Sequence, residues 1–305
     1  MLTRRQILQL ASLAASARVL SAIPLSKVRL GVTTDEIDED VLTAAKFLKE
    51  FNLHDAEVRS IWGKYNTSQP MDKVREAKAI FDENGIRTSV LGSSFFKISL
   101  PPDSPEGKGI LDNQWSMLDA AMERAALLGT DKIRTFAFTY DKGQTAGTPK
   151  QYDRIYELVA ESGRRAKARK MRLALENVGG SYVATGSEAA ALLKAVKADN
   201  VGLTWDPNNA ALSGEKSYPD GYNKLDPARI FHVHLRDFKL KTANGKGEWC
   251  AVGEGDMDNL GQIRSLLKSG YQGTFTLETH YRSPQGKAHA TRTSLTALLK
   301  VFENA

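Results

Sequence analysis

Cysteine is almost missing from this chain: Cys250 is the only one in 305 residues. That excludes an intramolecular disulfide and any zinc site built on thiolates. A lone cysteine is most often a small, partly buried side chain, and Cys250 is assigned no role. Histidine is sparse too, at five residues. No Arg/Lys run is interleaved with aromatics, so the charge alone does not suggest nucleic acid. The loop DKGQTAGTPK (141–150) lacks the Gly and Lys-Ser/Thr spacing of a phosphate-cradling loop. Net charge is +6, but Arg4, Arg5 and Arg18 lie in an acid-free leader, leaving +3 from Lys27 onward. With 41% hydrophobic and 26% charged residues, the rest has ordinary globular composition.

The leader reads TRRQI followed by LQLASLAASA, with LSA just before Ile23. A paired arginine, a short apolar core and small residues near a cleavage point resemble a twin-arginine export signal over residues 1–26. The apolar stretch is far short of the roughly 20 residues a membrane span needs, so no membrane anchor is expected. Arg18, close behind the core, fits an amphipathic helix of a cytoplasmic enzyme instead. The expectation is a periplasmic or secreted protein, with the cytoplasmic alternative open.

From residue 27 to 305 strand-like runs alternate with amphipathic helical stretches, and no composition break marks a second domain. The strand candidates are KVRLGVTT, HDAEVRS, IRTSVLGSS, DKIRTFAFTY, MRLALEN, NVGLTWDPNN, RIFHVHLRD and GTFTLETH. Eight strands, each followed by a helix, predict an α/β fold, a single (β/α)8 TIM barrel. The weakest unit is the sixth, where SGEKSYPDGYNKLDPAR is irregular. The Pro- and Gly-rich stretch from Ser94 to Gly109 reads as a long loop. Its Phe95 and Phe96 either cover a substrate or pack on their own scaffold.

The last four strands each end on a metal-ligand type: Glu176, Asp206, His234 and Glu278. In such a barrel the C-terminal strand ends meet at one mouth, where catalytic residues gather. Three carboxylates and one imidazole make a mainly oxygen-donor site, suited to Mn2+, Co2+ or Mg2+, with Zn2+ also admitted. His234 is preferred to His232, which lies one layer deeper as a supporting or core residue. His280 shares the face of Glu278 if the strand runs that far; His54 and His289 have no such context. In strand two, Glu57 and Arg59 point the same way. With Trp62 they form either a polyol-binding wall or a solvated ion pair.

The ordered set AEVR (56–59), LEN (175–177), WDPNN (205–209), HVHLRD (232–237), VGEGDMD (252–258) and LET (277–279) resembles the xylose isomerase-like TIM-barrel superfamily, in its sugar phosphate isomerase/epimerase branch. The resemblance covers Lys27 to the end. It implies a divalent metal on Glu176, Asp206, His234 and Glu278, with Glu57 and Arg236 near a small sugar substrate. Asn209 stands where some relatives place a histidine, at a substrate contact or second-metal position. The implied reaction is isomerisation or epimerisation of a ketose or keto-sugar. Glu176 and Glu278 would move a proton through an enediolate, with Arg236 beside the oxyanion. A lyase, dehydratase or hydrolase acting on a sugar or keto-glycoside in the same pocket is the nearest alternative. An endonuclease IV-like enzyme would need a histidine-rich multi-zinc cluster; a non-catalytic sugar-binding barrel would show no turnover. No nucleic-acid partner is expected, and the oligomeric state is open.

Overall fold

The computed structural model describes residues 28–241 and 247–305. The leader and its export reading lie outside the described residues. Eight parallel strands close into a barrel in the order of the chain. They are β1 (Arg29–Thr33), β2 (Asp55–Val58), β3 (Arg87–Gly92), β4 (Lys132–Thr135), β5 (Arg172–Glu176), β6 (Val201–Trp205), β7 (Ile230–Leu235) and β8 (Thr274–Leu277). The outer layer consists of α1 (Val41–Glu50), α2 (Met71–Glu83), α3 (Pro105–Leu128), α4 (Pro149–Ala168), α5 (Gly186–Ala195), α6 (Pro207–Leu212), α7 (Asn259–Lys268) and α8 (Lys287–Glu303). This is the expected barrel. No helix among the described residues is long and apolar enough to cross a membrane.

Local chemistry sets the helix starts. Asp40 caps α1 by accepting from the Thr43 amide at 2.8 Å. Thr148 with Gln151, and Thr185 with Glu188, form capping boxes at α4 and α5. The stretch read as a loop from 94 to 109 ends earlier than expected. Ser104 caps α3, Pro105 occupies its first turn, and Gly129 closes it in the left-handed region at φ 78°. The sixth unit is short, as its sequence suggests: α6 begins at Pro207, directly after Asp206, and gives way to single turns.

Phe95 and Phe96 are fully buried. Their rings stack 3.8 Å apart, and Phe96 stacks on Phe138 at 4.1 Å, with Trp115 alongside. The packing alternative is the one observed, so the pair anchors the loop instead of covering a substrate. At Gly31, β1 and β2 approach closely: a β-carbon there would stand 2.6 Å from the Asp55 carbonyl oxygen. Neither strand can retreat within a closed barrel. Gly31→Ala is therefore expected to cost about 1–3 kcal/mol, measured by urea unfolding.

Candidate metal centre

Register assembles the site. His232 and His234 of β7 lie opposite Thr274 and Thr276 of β8, so Glu278 comes one layer higher on the same inward face. Glu176 ends β5, while Asp206 and Glu278 each follow immediately after β6 and β8. Ligand atoms from Glu176, Asp206, His234 and Glu278 all lie within 4.8 Å of one another. His234 Nδ1 stands 3.5 Å from Glu176 Oε1, 3.8 Å from Asp206 Oδ2 and 3.4 Å from Glu278 Oε2. All four residues are buried, and His234 Nδ1 has no hydrogen-bond partner.

An unpartnered buried ring nitrogen is costly, and here it faces three carboxylate oxygens. A divalent cation would resolve both that deficit and the mutual repulsion of the acids. The donor set, one imidazole and three carboxylates, fits such an ion. The opposite nitrogen, His234 Nε2, pairs with Glu57 Oε2 at 2.7 Å, an arrangement that leaves Nδ1 free to ligate.

Charge balance is tight. Burial alone would push the Glu176 carboxyl upward, but Arg134 and His234 outweigh it and hold it low. Glu278 is held further down, because Arg236 and His234 overcome the same burial. Burial opposes a proton on His234, yet Glu57 and Glu278 together raise its affinity for one well above the ordinary imidazole value. The surroundings therefore favour a proton on the ring in the metal-free site.

The residues assigned to substrate divide into three groups. Arg236 and Asn209 sit with the ligands. Arg236 pairs with Asp206, and its Nη1 lies 3.0 Å from Glu278 Oε2. Asn209 donates to Glu176 Oε1 at 3.3 Å and accepts from Arg236 at 3.0 Å, tying the two together. Arg59 also reaches the cluster, donating to Glu278 Oε1 at 2.8 Å and to Asp35 and Glu36. Glu57 requires correction: it is fully buried, accepting from His232 and His234, and so lies beneath the ligands instead of on a polyol wall. The register between β2 and β3 shifts at Ala56/Glu57. Trp62 is not brought into the cluster. It forms the tip of a hairpin with Gly63, both at positive φ, and its indole donates to Asp40 while Lys73 lies over its ring.

Several contributors went unread in the sequence. Arg134 is 2% exposed and inserts among Glu57, Glu176 and Glu278. Its signal was a basic residue in mid-strand with inward register, since Arg134 lies opposite Ala174, two residues before Glu176. Asn177 fastens β5 to β6 by donating to the Asp206 carbonyl and accepting from its amide. Lys97 Nζ lies 4.7 Å from the Phe136 ring. Burial lowers its pKa despite the nearby charges of Glu176 and Glu278. Beside Glu278 a cavity of about 510 Å³ opens between Glu36, Trp249, Thr279, His280 and Lys287. Trp249 packs edge-on to His280 and covers the Arg236 guanidinium at 4.6 Å.

The family model described as "Xylose isomerase-like TIM barrel" matches residues 46–301. Among solved structures, the IOLI protein with a bound zinc atom is similar at 17% identity and TM-score 0.72, covering 91% of this chain and 99% of that one. A xylose isomerase-like TIM-barrel protein from Mycobacterium smegmatis in complex with magnesium gives 18%, 0.66, 91% and 96%. The 3-keto-D-glucoside 4-epimerase YcjR from E. coli gives 18%, 0.66, 90% and 99%. At these identities the likeness is one of fold. No curated protein matches the sequence.

Proposed function

Because the chain belongs to the xylose isomerase-like TIM-barrel family, we propose that it is a divalent-metal-dependent isomerase or epimerase of a ketose or keto-sugar. The observation that carries this reading is His234 Nδ1, buried, without a partner, and facing oxygens of Glu176, Asp206 and Glu278. A divalent cation held by those four residues, of the Mn2+, Co2+ or Mg2+ class, would supply Lewis-acid polarisation of the substrate's carbonyl and hydroxyl oxygens.

The remaining chemistry belongs to the chain. Glu176 and Glu278 approach from β5 and β8, two non-adjacent strands. One carboxylate takes the proton from the carbon beside the carbonyl; the C–H electron pair becomes a C=C bond and the carbonyl π pair moves onto its oxygen. The other returns a proton to the opposite face of that carbon in epimerisation; in isomerisation a proton returns to the former carbonyl carbon while the neighbouring hydroxyl proton passes to the former carbonyl oxygen. Arg236, braced by Trp249 and Asn209, presents positive charge to the oxygen that becomes negative. The neighbouring cavity, lined by Trp249, Thr279 and His280 and by none of the four ligands, is of a size to take a sugar ring, which would have to reach past Thr279 to Glu278. Export through the residue 1–26 leader remains part of the proposal on sequence grounds.

A proton-exchange screen tests it. The metal-loaded chain is incubated with unphosphorylated ketoses and keto-glycosides in deuterated water, and products are followed by NMR. Deuterium entry beside the carbonyl together with a new epimer or isomer is expected. Release of water or an aglycone would mark the lyase or hydrolase alternative instead, and no exchange with any member would remove the enzymatic reading.

A further inference from the structure

The metal-facing residues stand at the C-terminal rim of the barrel, and the opposite end carries a surplus of positive charge. Arg29, Arg87, Lys132 and Arg172 are the first residues of β1, β3, β4 and β5. Two acids serve all four: Asp55 pairs with Arg29 and Arg87, and Asp131 with Lys132 at 3.1 Å and Arg172 at 2.7 Å. Three of these cations share the inward parity of the ligand-bearing positions. Lys132 is two residues before Arg134 and lies opposite Arg172, itself four before Glu176; Arg29 lies opposite Thr274, four before Glu278. Together they line a cavity of about 470 Å³, with Pro227, Phe231 and the segment 270–273 among its other walls. Neither Asp55 nor Asp131 lines it. Lys132 is the most enclosed of the three, its side chain 14% exposed. Burial lowers its pKa; Asp131 opposes that, while Arg172 and Arg29 push it further down. Matched pairs would suffice to tie the strand starts together. A cavity with three cations and no acid in its wall concentrates anions instead.

We propose that this cavity is a phosphate-class anion site, built by Arg29, Lys132 and Arg172 at the pole of the barrel remote from the metal centre. The two guanidinium groups offer planar, forked donors and the lysine a compact charge, and phosphate oxygens accept from both. Phe231, against whose ring the Arg172 guanidinium packs at 5.3 Å, supplies an apolar surface for an organic body on the phosphate. The same dianionic head belongs to free phosphate and to a small phosphomonoester. The inference depends neither on the metal nor on the sugar reading.

Calorimetry with inorganic phosphate at constant ionic strength tests it, on the chain as purified and again after metal depletion. One phosphate per chain is expected in both, because the mouth takes no part. Lys132→Met and Arg172→Gln should each weaken binding about 10–100-fold, the loss of one hydrogen bond between charged partners. Lys108→Met removes an equal charge from an exposed position in α3 outside the cavity wall, and should leave the affinity unchanged. Phenyl phosphate bound more tightly than inorganic phosphate identifies a phosphomonoester as the occupant, and equal affinity identifies the free anion. No saturable binding overturns the proposal, as does binding that disappears with the metal. Wild-type affinity in both cavity variants, or an equal loss in Lys108→Met, overturns it too. Should circular dichroism show Lys132→Met unfolded, Arg172→Gln, changed at a more exposed position, decides alone.

Discussion

Glu278→Gln and Glu176→Gln should each slow deuterium exchange into an accepted ketose by about 10²–10⁴-fold, the usual span of general acid–base catalysis. The amide is nearly isosteric but cannot accept the proton. Because both residues also face the metal position, Mn2+ binding must be measured on the same samples. A variant that keeps its ion and loses exchange supports the proton-transfer role; one that keeps both refutes it. The two changes are not equivalent. Glu278 is paired with Arg59 and Arg236, and removing one charge from a buried network leaves its partners uncompensated, a cost of about 3–5 kcal/mol. Glu176 has only the longer 3.3 Å contact to an arginine. Glu278→Gln is therefore expected to lower the melting temperature more than Glu176→Gln does.

Stripping the divalent ion should abolish exchange and lower the melting temperature by about 5 °C. At a free ion concentration near 100 times Kd, binding to the folded state alone contributes about 2.7 kcal/mol, which for a domain of this size corresponds to that shift. Re-addition of Mn2+ should restore both. A melting curve indifferent to chelation and re-addition would leave the acidic cluster without its ion. The same site predicts the pH dependence of binding. Metal-free His234 holds its proton to well above the ordinary imidazole range: burial works against the charge, but Glu57 and Glu278 outweigh it. The ion must displace that proton, so affinity falls on acidification, by about tenfold per pH unit while one proton is released. Calorimetry in buffers of different ionisation heat counts the proton directly, and a count of zero contradicts the assignment of His234.

The eightfold strand–helix alternation, the strand ends at Glu176, Asp206, His234 and Glu278, and their gathering at one mouth were all legible in the sequence. The reason is local: a period of two sets which side chains point inward, and parallel strands joined by helices end at the same rim. What tertiary structure alone decided was which charges meet. Arg59 reaches Glu278 across 219 residues of chain, and Arg134 meets Glu57, Glu176 and Glu278 only because the sheet closes on itself. Glu57 points beneath the histidines instead of toward a polyol, and Trp62 is carried away on a hairpin tip. Periodicity assigns a residue to a face, but its partner across a barrel depends on closure and layer height, and these are set by the packing of the whole ring.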